Sequence, residues 1–323
     1  MNLKKELTIK ENMQLVLEGK QPAWVPSFLE DCANLRSAAI GRKLDPRTGN
    51  LVDIFGVNFV HHPDGLFPDH GNNVLTDVTK WRDVFPDINL NSIDWEEDAR
   101  QLMSDAKEGQ VINLNIGGVW EQLHYMMGTE EALVSLMVEP DVTYECLSAI
   151  ADLWIDAMQR LCKFIKPDFL MFVDHLATDK RMLVSPDTYR TIIKPIHKRI
   201  CDAIIEIGAI PELHIDGNIE KIIPDLAEIG VKIIQPFQVM NDINRYKEEY
   251  GMIAIGGWDA FGPGNREDST EEDVRQSVRL AMDTYAPTSR YIFWESGITP
   301  RFKESMGYLK DEAIKYGHAF YND

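Results

Sequence analysis

Apolar and polar positions along this chain switch between two periods, and the switching predicts strands followed by helices. Met13, Leu15, Val16 and Leu17 lie among polar neighbours in residues 7–19, which predicts a short amphipathic helix. Residues 24–29 (Trp-Val-Pro-Ser-Phe-Leu) read as a first strand ending in Glu30 and Asp31. Residues 33–100 have little helical period. Within them, 53–60 looks like a strand or hairpin arm, and 61–70, punctuated by Pro and Gly, like a loop. Regular alternation begins at Val111. Residues 111–116 predict a strand, followed by a helix through Met127. Pro140 opens a long helix whose buried stripe includes Cys146, Ile150, Ala157 and Leu161. Residues 169–173 are continuously apolar, as a parallel strand buried on both faces requires, and they end in Asp174 and His175. Ser185 and Pro186 start another helix, which Pro195 kinks and Gly208 ends.

Residues 210–216 (Ile-Pro-Glu-Leu-His-Ile-Asp) predict a further strand, with His214 and Asp216 on one face because side chains alternate. Asn218 is positioned to cap the next helix, whose Ile219, Ile222, Ile223, Leu226 and Ile229 recur at helical spacing up to Gly230. Strands follow at 232–236, 253–257 and 291–294, and Ser269 with Glu272 reads as the capping box of an intervening helix. Strands alternating with helices argue for a parallel sheet, and about eight of them would close a (β/α)8 barrel. The expectation is one such domain over residues 1–323. Residues 1–100 form its N-terminal elaboration (helix, first strand and covering segment), and 101–323 supply regular β/α units. No strand is followed by Gly-x-Gly-x-x-Gly opening a helix, which disfavours an open doubly wound sheet.

Charge narrows the partners. The chain of 323 residues has 33 Lys plus Arg against 52 Asp plus Glu, a net charge of −19, and shows no basic stripe for nucleic acid. No stretch is long and apolar enough to span a membrane, and the first residues lack the apolar core of a secretory signal. Cys32, Cys146, Cys162 and Cys201 show no paired spacing, so free thiols in a cytoplasmic protein are expected.

Polar residues just after the predicted strands are Glu30, Asp31, Asp174, His175, His214, Asp216, Gln235, Gln238, Asp259 and Glu295. A barrel keeps its site at that rim. His214 and Asp216 have three open readings: metal ligands, an acid–base pair in which the carboxylate tunes the imidazole, or a structural histidine at a strand end. Asp174 or His175 would orient a substrate, with Glu30, Gln235, Gln238, Trp258 and Asp259 lining its pocket. Trp120, Trp258, Trp294 and Phe261 suit either a flat apolar pocket or ordinary core packing. The glycine pairs at 117–118 and 256–257 would let backbone approach a cofactor closely, but neither is followed by the Lys-Ser or Lys-Thr of a phosphate loop. His61, His62, Asp64, Asp69 and His70 read as a solvated loop rather than a metal site.

The run from His214 to Gln238 (His-Ile-Asp-Gly-Asn-Ile-Glu-Lys-Ile-Ile-Pro and onward) resembles the uroporphyrinogen decarboxylase superfamily over residues 110–310. The superfamily includes corrinoid-dependent methyltransferases, in which a His-x-Cys motif and a later Cys hold zinc. Here Asp216 stands at the first Cys, and the later segment reads Trp-Glu-Ser-Gly-Ile, with Ser296 at the second. The resemblance therefore implies a methyltransferase moving a methyl group from a small substrate, such as a methoxylated aromatic, to a corrinoid protein. Zinc would be held by His214, Asp216 and Glu295. The alternatives it leaves are a decarboxylase or lyase acting on a small carboxylic acid, or a binding protein that has lost catalysis. The decarboxylases carry an arginine-rich segment after their first strand. Here that region reads Leu-Glu-Asp-Cys-Ala-Asn-Leu-Arg, residues 29–36, with Glu30 and Asp31 where positive charge belongs, which argues against uroporphyrinogen as substrate.

Overall fold

The computed structural model describes residues 7–62, 65–69, 71–295 and 304–321. Seven parallel strands form one curled sheet in chain order: β1 (Cys32–Arg36), β2 (Val111–Gly117), β3 (Phe169–Val173), β4 (Ile210–His214), β5 (Ile233–Phe237), β6 (Ile253–Gly257) and β7 (Tyr291–Trp294). The α/β architecture is as expected, but the count and the closure differ. Among the described residues there is no eighth strand, and β7 does not pair with β1. One bridge, Ser27 to Phe293, links the segment before β1 to β7.

The first strand explains this difference. Residues 26–27 do run beside β7, with the Phe293 N–H donating to the Pro26 carbonyl. The Asp31 carboxylate then accepts the Ser27 N–H at 2.9 Å and winds Phe28–Asp31 into one helical turn. The chain leaves β7 there and starts again as β1, paired with β2 from Cys32↔Val111 to Arg36↔Asn115. The strand expected at 24–29 thus lies later. Glu30 and Asp31 precede it, and Arg36 stands at its carboxyl end.

Inside the curl, Cys32, Val111, Phe169, Ile233, Ile253, Ile255, Ile292 and Trp294 make one apolar cluster with Met13 and Val16 of α1 (Ile9–Glu18). That helix starts at a Thr8–Glu11 capping box and ends at Gly19, whose φ of 72° suits glycine. Outside the sheet a larger cluster buries α2 (Val119–Met127), α3 (Pro140–Leu161) and α4 (Lys194–Ile207). Alternate residues of β3 serve the two clusters, which is why its apolar run is unbroken: Phe169 faces in, Leu170 and Phe172 face out.

Residues 61–70 are not simply loop. Lys43–Leu44, Leu51–Val52, Asn58–His62 and Gly65–Pro68 form a four-stranded antiparallel sheet. It lies against α2: Phe59 meets Tyr125 edge-on at 5.3 Å, and Asp53 accepts a hydrogen bond from Gln122 at 2.9 Å. His61 and His62 are exposed on it, while Asp64 and His70 lie outside the described residues. Two helix starts also moved. The helix after Asp216 begins at Ile223, and Asn218 lies in the preceding turn, its N–H donating to the Thr178 carbonyl. The later capping box is Thr270 with Asp273. A π turn at Tyr189–Ile193 precedes α4, where Pro195 has no N–H for the Thr191 carbonyl. All four cysteines are free, and among the described residues no helix is long and apolar enough to cross a membrane.

Candidate active site

Gly118 determines how the first piece of the rim is built. A Cβ there would lie 1.5 Å from the Val173 carbonyl oxygen, so only glycine lets the end of β2 approach the end of β3. Asp174 then tucks beneath the rim, fully buried. Its Oδ1 accepts the Glu121 N–H at 2.8 Å, and its Oδ2 accepts the Val119 N–H at 3.3 Å and His197 Nε2 at 2.8 Å. It serves as the anionic cap of α2 and the partner of a buried histidine. Asp174, expected to orient a substrate, instead orients the helix that carries Glu121.

The next residue, His175, turns out to the rim. Its Nδ1 lies 3.1 Å from Asp216 Oδ2 and its Nε2 3.9 Å from Glu121 Oε1. The His175 N–H also donates to Glu121 Oε2 at 3.4 Å. His214, at the end of β4, stands edge-on between the rings of His175 (5.2 Å) and Trp294 (5.9 Å). Its Nδ1 donates to Gln235 Oε1 at 3.2 Å. Asp216 Oδ1 accepts from Gln238 Nε2 at 3.1 Å, and Gln238 Oε1 in turn accepts the Gly217 N–H at 2.7 Å.

His175, His214 and Asp216 each offer a ligand atom, all within 4.8 Å of one another. Each also has a second polar group engaged elsewhere: Glu121 faces His175, Gln235 faces His214, and Gln238 faces Asp216. Metal-binding histidines are commonly held in this way through the far nitrogen. Two imidazoles and a carboxylate suit zinc in a site that keeps a position open, although they are harder donors than thiolates. The residues therefore fit a divalent cation. The set differs from the expected one: His175 takes the third place, and Glu295 lies outside the group. Glu295 is buried at the end of β7, its pKa raised by burial and partly restored by Lys310. Ser296, also expected here, falls outside the described residues.

Electrostatics sets the charge of Glu121 and of His214. Burial alone would raise the Glu121 pKa, but hydrogen bonds from His124 and Tyr125 and the charge of His175 bring it down to about 2. Glu121 stays an anion. Burial and the neighbouring His175 lower the His214 pKa, against the pull of Asp216 and Gln235, so this ring is held neutral with Nε2 unprotonated.

The other expected residues divide. Gln235 and Gln238, expected to line a substrate pocket, hydrogen-bond His214 and Asp216. Asp259 lies exposed after β6, where its carboxylate accepts the Phe261 N–H at 3.0 Å. Trp258 is buried and donates to Ser277 Oγ, so it packs rather than lines a pocket. Glu30 is corrected outright. It precedes β1, at the opposite end of the sheet, and pairs with Lys107 at 3.3 Å. Glu121 was not anticipated. The available signal was its i,i+3 spacing to His124 just after a strand, and the two side chains do meet at 3.1 Å. The glycine pairs serve packing: besides Gly118, Cβ atoms at Gly256 and Gly257 would meet the Phe237 backbone and the Tyr285 ring.

The family model for uroporphyrinogen decarboxylase (URO-D) matches residues 52–303, from the antiparallel sheet onward. A methyltransferase from Methanosarcina mazei superposes with a TM-score of 0.61 at 14% identity, covering 96% of this chain and 99% of that one. At that identity the likeness establishes the fold. A GH27 β-L-arabinopyranosidase variant from Geobacillus stearothermophilus, solved with arabinose, reaches a TM-score of 0.35 at 12% identity over 96% of this chain and 72% of that one. That value carries no argument. A search of curated protein sequences gives no match.

Proposed function

We propose that this chain, which belongs to the uroporphyrinogen decarboxylase family, moves a methyl group from a small donor to the corrinoid of a separate protein. A methoxylated aromatic is the donor class we favour. The family and the fold shared with a methyltransferase support the reaction class. The observation that carries the reading is the meeting of His175, His214 and Asp216 at the carboxyl ends of β3 and β4.

In this reaction the donor's C–O bond breaks and a methyl–cobalt bond forms with the electron pair of the reduced partner corrinoid. The donor oxygen departs with the C–O pair and takes a proton. Cobalt in that state is nucleophile enough, so the protein's task is the poor leaving group. With no cation bound, a proton between Asp216 Oδ2 and His175 Nδ1, 3.1 Å apart, would be placed for that oxygen, and Glu121 faces the ring's other nitrogen at 3.9 Å. His214, held neutral, accepts a hydrogen bond at Nε2 or binds a cation there. A zinc ion held by His175, His214 and Asp216 would supply a Lewis acid for the same oxygen. Reduced cobalt requires a reducing compartment, consistent with four free cysteines and a cytoplasmic location.

A second reading, decarboxylation of a small acid, is favoured by Arg36. Glu30 and Asp31, expected at the end of the first strand, precede β1, and its carboxyl end carries Arg36 instead. One assay separates the two readings. Purified protein is mixed with reduced corrinoid protein and a panel of methoxyarenes, methylamines and methylthiols, and both methylcobalamin absorbance and released CO2 are followed. Methylation of cobalt by at least one donor is expected. CO2 release without cobalt methylation would replace this reading with the second, and neither product would sink both.

A further inference from the structure

We infer that Lys232 and Arg290 form an anion site at the amino-terminal ends of β5, β6 and β7, and that its ligand carries a phosphate group. The site lies at the opposite end of the sheet from His175, His214 and Asp216, and it does not depend on the function proposed above.

Lys232 immediately precedes β5 and Arg290 immediately precedes β7. Strand β6 lies between them and is reached from the helix Ile243–Tyr250 through Gly251. The two cations meet over that glycine. A Cβ on Gly251 would lie 3.2 Å from Lys232 Nζ and 3.7 Å from Arg290 Nε. A Cβ on Gly19, just after α1, would lie 2.2 Å from Arg290 Cζ and 2.3 Å from both terminal nitrogens, near-equal distances that set the guanidinium face-on to that glycine. Glycine at these two positions makes the space that the cations occupy.

The backbone that delivers Arg290 is strained. Ser289 and Arg290 have φ of 56° and 52°, and among the described residues no other non-glycine residue takes a positive φ. Ser289 Oγ donates to the Lys20 carbonyl and so pins this turn to the end of α1. Strain of this kind persists where the surrounding structure fixes it, and it gathers at ligand sites.

Neither Lys232 nor Arg290 has an ion-pair partner among the described residues, although acids outnumber bases by 52 to 33 in this chain. The acids beside the two glycines are taken, Glu18 by Lys20 at 2.6 Å and Glu249 by Arg245 at 2.9 Å. Arg290 Nε is buried with no hydrogen-bond partner, and a buried donor left unmade costs free energy. Burial lowers the Lys232 pKa and Arg290 lowers it further. Arg290 also acts on buried Lys247, which burial brings down to about 7 against the pull of Glu248. An anion from outside the chain would relieve this repulsion, and both Lys232 and Arg290 keep part of their surface open to solvent.

Two cations with a third amine in electrostatic reach match a dianion better than a singly charged carboxylate. A phosphate group carries about −1.5 to −2 at pH 7, with several strong acceptor oxygens. Lysine as a point charge and arginine through its N–H edge both recognise it.

The test is calorimetric titration of the full-length, metal-replete protein at neutral pH and constant ionic strength. The probes are inorganic phosphate, phenyl phosphate and acetate. One saturable site is expected for at least one of the phosphates, about tenfold or more tighter than for acetate. Tighter binding of phenyl phosphate would identify a phosphate ester as the ligand, and tighter binding of inorganic phosphate the free anion. Lys232→Gln and Arg290→Asn should each weaken binding about tenfold or more. Asparagine tolerates the left-handed φ, so the unfolding midpoint of Arg290→Asn without anion should stay near that of wild type and separate lost affinity from lost fold. His214→Ala, at the other end of the sheet, should bind phosphate as wild type does. Binding lost in His214→Ala but kept in Lys232→Gln would assign the phosphate to the cation site and overturn the inference. No saturable phosphate binding, acetate bound as tightly as phosphate, or wild-type affinity in both Lys232→Gln and Arg290→Asn would also overturn it.

Discussion

His175 Nδ1 lies 3.1 Å from Asp216 Oδ2, although the two residues are 41 apart in sequence. They come from the ends of neighbouring strands, β3 and β4, whose register pairs Val173 with His214. Each then has its far side occupied, His175 by Glu121 and Asp216 by Gln238. A pair held from both sides is preorganised for a proton or a cation between the two atoms.

The first prediction concerns the cation. Protein purified without chelator should carry stoichiometric zinc by elemental analysis. His175→Ala, His214→Ala and Asp216→Asn should each lower occupancy tenfold or more, and Glu295→Gln should leave it unchanged. Cobalt(II)-substituted protein should lack thiolate charge-transfer absorption. Occupancy lost in Glu295→Gln but kept in His175→Ala would restore the ligand set that the sequence suggested.

Asp174 should behave as a structural anion. It is fully buried, paired with His197 and bonded to two N–H groups of α2. Breaking a buried pair by removing one partner typically costs about 3–5 kcal/mol. Asp174→Asn should therefore shift the urea unfolding midpoint by a loss of that order. A variant of unchanged stability with only a raised KM would return Asp174 to the role of substrate contact.

Lys247 should give stability a pH dependence of its own. It is buried, with Nζ bonded to the Tyr285 carbonyl and to Thr288 Oγ1 at 2.7 Å, and burial pushes its pKa down from 10.5 to about 7, with Glu248 and Arg290 acting in opposite directions. Between those two values the unfolded chain binds a proton that the folded chain does not. Stability attributable to this group therefore rises as pH goes from about 7 toward 10.5, by at most about 1.4 kcal/mol per pH unit. Below pH 7 both states are protonated and the burial penalty is fully present. Lys247→Met should flatten that slope in unfolding measurements. An identical pH profile in the variant would contradict the assignment.

Much of the fold could be read from period alone, because β2 to β7 are apolar runs or clean alternations bounded by glycine and proline. β1 escaped because it carries Asn34 and Arg36 on its inward face, while the more apolar stretch before it is broken by the Asp31–Ser27 bond. That displacement of a few residues moved Glu30 away from the rim and hid Arg36. The antiparallel sheet was obscured by the Pro and Gly content of residues 61–70, which reads as loop until the strands are paired. His214, His175 and Asp216 were legible as strand-end polar residues. Their grouping was not, since it depends on strand register and on glutamine and glutamate side chains from other elements. Glu295 looked equivalent to them by position alone, but its carboxylate lies outside the cluster.

The most direct test of methyl transfer is a single-turnover measurement with an isotopically labelled methyl donor and excess reduced corrinoid protein, comparing wild type with His214→Ala. His214 enters this account as a ligand of the cation, and a bound Lewis acid contributes several kcal/mol, about 10²-fold or more in rate. The account predicts label on the corrinoid in wild type, formed at least 10²-fold more slowly in the variant, with the unfolding midpoint unchanged. Equal rates in the two proteins, or no label transferred by wild type from any donor, would contradict it.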